Sequence, residues 1–238
     1  MKKTMILAAA ALVAGSALAA EVLSVNAVGF IQTTCPAGEY TALSYPFYGN
    51  EDGGGTKWVD TPIAQNAAVG SQVYFWNGSV WTVGAYVQGR TGADWDATAK
   101  AKTLAPGECF LYKPAEEQDA VVSGEVPDDA TIDLAITGGG AYTALGLPYP
   151  AEKAWTDTEI AASAPVGAQV YFWNGSVWTV GAYVQGRTGA DWDATAKAKT
   201  LAPGEGFLYK LPANEADATI AAVRPYDWPA EPIEIVNP

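Results

Sequence analysis

The chain has 238 residues, with 13 Lys and Arg against 26 Asp and Glu, a formal net charge of −13 and no histidine. Without an imidazole, a His base, a His metal ligand and a Ser-His-Asp relay are excluded, and a pI near 4.3 argues against nucleic acid, whose phosphates need clustered Lys and Arg. Charged residues at 16%, aromatics at 11% and 25 Gly describe a folded, turn-rich β protein rather than a disordered one.

In chain order, residues 1–19 come first. Lys2 and Lys3 precede an apolar run from Met5 to Ala14 and then Gly15-Ser16-Ala17-Leu18-Ala19, the small-x-small pattern of an export signal cleaved after Ala19. The run is too short to span a bilayer, which takes about 20 apolar residues, and no later stretch predicts a membrane span. No Cys follows the cleavage site to carry a lipid. The expected location is therefore outside the cell or at its surface. Loss of Lys2 and Lys3 takes the charge from −13 to −15, which favours solubility.

A β-prone run, Val22 to Ile31, opens the mature chain, and a second covers Tyr40 to Tyr45. Asn50-Glu51-Asp52-Gly53-Gly54-Gly55 is an acidic loop without the alternating ligands of a calcium site. Asp60 to Ala67 predicts a short capped helical turn. Val73-Tyr74-Phe75-Trp76 and Ser79-Val80-Trp81-Thr82-Val83 flank Asn77-Gly78, which predicts a two-residue hairpin with Trp76 opposite Ser79 and Tyr74 opposite Trp81. Tyr74, Trp76 and Trp81 then share one face, and Val73, Phe75 and Val80 the other. Asn77-Gly78-Ser79 is formally a glycosylation acceptor, but the turn already explains it. Asp96 to Lys102 reads equally as helix or strand. Pro106-Gly107 suits a type II turn before a strand at Cys109 to Tyr112, and Val121 to Val126 follows as another.

The chain then repeats itself. Gln72 to Glu108 recurs letter for letter as Gln169 to Glu205, a run of 37 residues, and Val69 to Lys113 matches Val166 to Lys210 with two differences, Ser71/Ala168 and Cys109/Gly206. Tyr40-Thr41-Ala42-Leu43 also returns as Tyr142-Thr143-Ala144-Leu145. The spacing puts five extra residues in the first copy, at or near the Asn50–Gly55 loop. Two copies of about 100 residues, a normal domain size, span 20–126 and 127–223, leaving 224–238 as a Pro-rich tail. Further strands are expected at Thr131 to Ile136, Tyr142 to Leu147, Gly206 to Tyr209, Thr219 to Val223 and Ile233 to Val236, with a helical turn at Asp157 to Ala164. The predicted fold is all-β, two tandem homologous sandwich or barrel-like domains with little helix.

Four groups of residues are candidate sites. Tyr74, Trp76, Trp81 and Trp95, with Tyr171, Trp173, Trp178 and Trp192, are either a bivalent platform for sugar rings or core packing, and packing is preferred because Trp buries so much area. Asp94 and Asp96, with Asp191 and Asp193, are weak Ca²⁺ candidates, since nothing nearby completes six oxygens; a solvated turn is favoured, and no metal, cofactor or catalytic residue is assigned. Cys35 and Cys109 both lie in the first copy, their sequence equivalents in the second being Thr137 and Gly206, and in an oxidising compartment they predict a disulfide worth up to about 4 kcal/mol; two free thiols are the alternative. Val22, Val25, Val28, Phe30, Ile233 and Ile235 mark terminal strands that either complete their own domains or pair with another subunit.

Asn26-Ala27-Val28-Gly29-Phe30, Pro36-Ala37-Gly38 followed by Tyr40 to Pro46, Val73 to Trp76, Leu104-Ala105-Pro106-Gly107-Glu108-Cys109-Phe110 and Gly124-Glu125-Val126-Pro127 resemble the uncharacterised secreted repeat proteins of the Verrucomicrobia and Planctomycetes group. The resemblance covers most of the mature chain and implies export and a β-rich repeat, with no catalytic residues to carry over. Cys109 departs from it, standing where a small residue is usual, and the two copies are more alike than neighbouring repeats usually are. The expectation is a secreted, non-enzymatic structural protein, self-associating into a filament or surface layer; a bivalent binder of extracellular glycans is the alternative.

Overall fold

In each copy the first strand pairs with the last, so the chain closes one unit before it starts the next. The computed structural model describes residues 27–49, 51 and 54–228, leaving the leader, Val22, Val25, Ile233 and Ile235 outside the described residues. The first copy comprises β1 (Val28–Cys35), β2 (Thr41–Tyr45), β3 (Thr56–Lys57), α1 (Pro62–Gln65), β4 (Gln72–Trp76), β5 (Trp81–Gly89), β6 (Gly92–Trp95), α2 (Ala97–Lys100), β7 (Thr103–Leu104), β8 (Glu108–Lys113) and β9 (Gln118–Glu125). The second comprises β10 (Thr131–Ile136), β11 (Tyr142–Gly146), β12 (Lys153–Ala154), α3 (Glu159–Ala162), β13 (Gln169–Trp173), β14 (Trp178–Gly186), β15 (Gly189–Trp192), α4 (Ala194–Lys197), β16 (Thr200–Leu201), β17 (Gly206–Lys210) and β18 (Ala218–Val223). The fold is all-β, two homologous β units in tandem with four single-turn α-helices among the described residues.

β1 lies antiparallel on β9 from Val28↔Glu125 to Cys35↔Gln118, and β10 on β18 from Thr131↔Val223 to Ile136↔Ala218. Each ribbon covers one face of a larger antiparallel sheet, β2-β8-β4-β5-β6 in the first copy and β11-β17-β13-β14-β15 in the second. The two large sheets meet where Leu145 bridges Glu108 and Leu43 bridges Glu205. In the continuous strand order, β6 and β15 are the outermost strands at opposite ends.

Period-two alternation builds each core. Val73 and Phe75 of β4, and Phe110 and Tyr112 of β8, point inward with Leu43, Tyr45, Trp58, Ala120 and Val122. Trp58 is fully buried, with Phe75, Trp95 and Phe110 around it at centroid distances of 5.8, 5.3 and 5.4 Å. Trp155 repeats this with Phe172, Trp192 and Phe207 at 5.5, 5.2 and 5.5 Å. The predicted helical turns form, but Thr61 and Thr158 rather than the preceding aspartates cap them, accepting from Ala64 N and Ala161 N. Asp96 to Lys102 resolves to a helical turn capped by Asp96.

Two expectations are corrected. The Asn77-Gly78 hairpin has a four-residue loop, because the Asn77 side chain accepts from both Ser79 N and Val80 N, and its register is Trp76↔Trp81, Phe75↔Thr82 and Tyr74↔Val83. A shift of two residues keeps every side chain on its face, so Tyr74, Trp76 and Trp81 still share one side, while Val80 leaves the strand for the exposed loop. A two-residue hairpin does occur, at Arg90-Thr91, where Gly89 pairs with Gly92.

The second correction is the disulfide: Cys35 and Cys109 are both buried and unbonded. Cys35 faces the first core, whereas alternation along β8 turns Phe110 and Tyr112 to that core and Cys109 to the opposite side of the sheet. Burial pushes both thiols above their ordinary values, which keeps them in the unreactive protonated form. Iodoacetamide at mildly alkaline pH is expected to leave both unmodified in the native protein and to label both after denaturation without reductant. Labelling that requires a reductant would restore the disulfide.

Candidate functional site

The aromatic faces singled out in the sequence are brought together as the joint between the two copies. Trp76 and Trp81 pack edge to face at 5.3 Å, and Trp173 and Trp178 at 5.2 Å. The Trp76 indole N–H donates to the Tyr142 carbonyl at 2.9 Å, and that of Trp173 to the Tyr40 carbonyl at 2.7 Å. Each indole is thus anchored on the other copy. Around them, Cys109, Ala144 and Leu208 form a small buried cluster against which Trp76, Trp81, Tyr142, Tyr171 and Trp178 pack. The Tyr40 hydroxyl donates to the Tyr74 hydroxyl, which donates in turn to Gln72 Oε1 at 2.9 Å. Burial and then the Tyr40 hydroxyl push Tyr74 up to about 12, and burial and then Tyr142 do the same to Tyr171. These phenols therefore stay neutral over the physiological range.

The backbone contacts are reciprocal as well. Ser44 N donates to Gly204 O, and Gly146 N to Gly107 O, both at 2.8 Å. Reciprocity of this kind, with i touching j′ and j touching i′, is the mark of a local twofold axis. Equivalent residues then meet at the axis, and there the copies differ. A Cβ on Gly206 would lie 2.4 Å from Cys109 Sγ, and one on Gly146 would lie 2.1 Å from Ser44 Cβ and Oγ. One copy carries the side chain and the other the space for it, which explains the Cys109/Gly206 difference noted in the sequence.

The remaining candidates are dispersed. Trp95 and Trp192 sit in the two cores, donating to Ala64 O at 2.9 Å and Ala161 O at 3.1 Å, away from any ligand. The aspartates flanking them are used in folding. Asp96 accepts from Ala99 N and Ala85 N, both at 3.0 Å, and Asp193 does the same with Ala196 N and Ala182 N. Asp94 and Asp191 pair with Lys100 and Lys197, whose hydrogen bonds hold both carboxyls below the usual range. Both oxygens of each capping aspartate are thus committed to backbone donors, and among the described residues no three metal-ligating side chains converge. Asp94 lies on β6 and Asp96 caps the helical turn that starts at Ala97, so the two carboxylates serve separate partners.

Of the terminal strands, Val28 and Phe30 belong to β1, which pairs with β9 of its own copy, though both side chains point outward, 80% and 73% exposed. Sequence reasoning missed a second apolar feature. Beyond Trp81, the same side of β5 carries Val83 and Val87, and beyond Trp178 the same side of β14 carries Val180 and Val184, all between 42% and 49% exposed. The spacing Trp-x-Val-x-Ala-x-Val was the available signal. Among the described residues, no helix is long and apolar enough to cross a membrane. No family model matches the chain, and neither does any curated protein or solved structure.

Proposed function

We propose that the protein is a secreted structural subunit that self-associates into an extracellular filament or layer and performs no catalysis. Export is supported by the leader at residues 1–19. The observation that carries self-association is the valine stripe, present twice and uncovered both times. It continues the very face by which one copy packs on the other, and β5 and β14 stand next to the outermost strands at opposite ends of the strand order. A face that already recognises its own duplicate inside the molecule has a chemically identical surface to meet on a neighbour. Two such ends on one molecule make it bivalent, and bivalent units that join end to end form open chains.

Negative-stain microscopy and sedimentation of the secreted protein test this. Wild type is expected to form fibres or sheets. Val83→Lys with Val87→Lys leaves one working end, so association stops at dimers, and adding Val180→Lys with Val184→Lys leaves monomers, since an unpaired ammonium group is costly to bury in an apolar face. A wild-type protein that stays dispersed and monomeric overturns the reading. Fibres that survive all four substitutions overturn the valine interface alone.

A further inference from the structure

The local twofold generates two equivalent positions at the joint between the copies, and only one of them carries a wall of two threonines and a glutamate. At the first, a groove of about 590 Å³ opens beside Trp173, walled by Thr33, Thr34, Glu39 and Tyr40 from the first copy and floored by Trp173 and Ser176 from the second. That volume lies in the range, roughly 300–1,000 Å³, that holds small ligands. The floor belongs to the 37-residue identity, so Trp76 and Ser79 repeat it at the related position. The wall does not repeat. Strand alternation sets Thr33, Thr34 and Cys35 of β1 against Leu134, Ala135 and Ile136 of β10, and Glu39, just before Tyr40, against Ala141, just before Tyr142, so a carboxylate and two threonines give way to apolar residues.

We infer that the Trp173 groove is a binding site for a neutral saccharide, one site per chain. The indole is held in a fixed plane by its bond to Tyr40 O and by its edge-to-face contacts with Tyr40 at 6.4 Å and Trp178 at 5.2 Å. A pre-oriented aromatic ring offers its electron-rich face to the slightly positive C–H face of a pyranose at little entropic cost. The Thr33 and Ser176 hydroxyls both donate and accept, and the exposed Glu39 carboxylate accepts, which matches the mixed donor and acceptor hydroxyls of a sugar. The exposed Glu39 carboxylate in the lining, on a chain of net charge −13, repels uronic acids and sulfated or phosphorylated sugars, whereas Glu205 is neutralised by Lys199. From the sequence, a bivalent platform is only the alternative to core packing; this site is single and asymmetric, because the Trp76 side lacks the wall that Thr33, Thr34 and Glu39 form. This inference stands independently of self-association.

Isothermal titration of the exported protein with cellohexaose, xylohexaose and mannohexaose, and with an oligogalacturonate as the charged control, tests it. At least one neutral probe is expected to bind at one per chain while the charged control gives no heat. Thr33→Ala with Glu39→Ala, which touches the wall and leaves the Trp173 anchor intact, is expected to lower affinity about tenfold or more. Trp173→Ala abolishes binding, and Trp76→Ala, the same truncation on the opposite side of the axis, does not. Absence of binding by all three neutral probes, two sites per chain, or unchanged affinity in the Thr33/Glu39 double variant overturns the inference.

Discussion

Trp58→Ala is expected to cost about 3–5 kcal/mol, the range for truncating a fully buried Trp, and Trp155→Ala about the same. Each indole is the hub of its core, wholly excluded from solvent and contacted by rings from three or four directions. Edge-to-face aromatic walls are stiff and cannot collapse into the space left behind, so the cavity penalty adds to the lost transfer energy. Total stability of a domain is only about 5–15 kcal/mol, so either change removes a large share of it. Trp58→Phe is the informative control. Neither Trp58 Nε1 nor Trp155 Nε1 has a hydrogen-bond partner among the described residues, so the phenyl ring gives up area but also removes a buried unpaired donor, and its cost is expected to be less than half that of alanine. Urea denaturation followed by circular dichroism measures both. An alanine variant within about 1 kcal/mol of wild type would show that the hub is not where the packing energy resides.

Gly146→Ala is expected to destabilise the joint by about 1–3 kcal/mol, with most of that loss recovered when Ser44→Gly is added. The new methyl group would lie 2.1 Å from Ser44 Cβ and Oγ, with Glu205 O next at 3.0 Å, so the conflict is chiefly with one side chain, which can be removed. Gly206→Ala behaves differently. Its Cβ would lie 2.4 Å from Cys109 Sγ but also 2.7 Å from the Leu43 carbonyl oxygen, a backbone atom, so Cys109→Gly is expected to relieve only part of the loss. Recovery of most of the loss at one pair and of only part at the other, in a double-mutant cycle, is a signature of equivalent positions meeting across the local axis. Equal non-rescue at both pairs would mean that the copies meet in some other way.

Much of the fold was legible because it depends on local rules. Thr131–Ile136 is a strand with the predicted limits, and Tyr142–Gly146 and Thr41–Tyr45 differ from expectation by one residue. Alternation and turn chemistry act over a few residues, and both are written in the chain. The Asn77-Gly78 hairpin shows where this stops. The dipeptide marked the turn, but its length was set by two backbone N–H groups donating to the Asn77 side chain, and choosing between a two-residue and a four-residue loop required the strands' final register. The candidate site was less legible. Trp76, Trp81 and Trp95 look alike in sequence, yet Trp95 fills a core while the other two join the copies.

The sequence by itself determined the β class, the duplication, the leader pattern, and the exclusion of histidine chemistry, because each follows from composition, periodicity or direct self-comparison. Only the tertiary structure decided that the two cysteines stand on opposite sides of a strand, that the aromatic faces close on one another, and that Cys109 and Gly206 are partners rather than a chance divergence. The physical reason is that those facts depend on which surfaces meet across a local twofold axis. That meeting joins residues from 37 positions apart, at Glu108 and Leu145, to 162 apart, at Leu43 and Glu205, separations over which no pattern of neighbours along the chain carries the information.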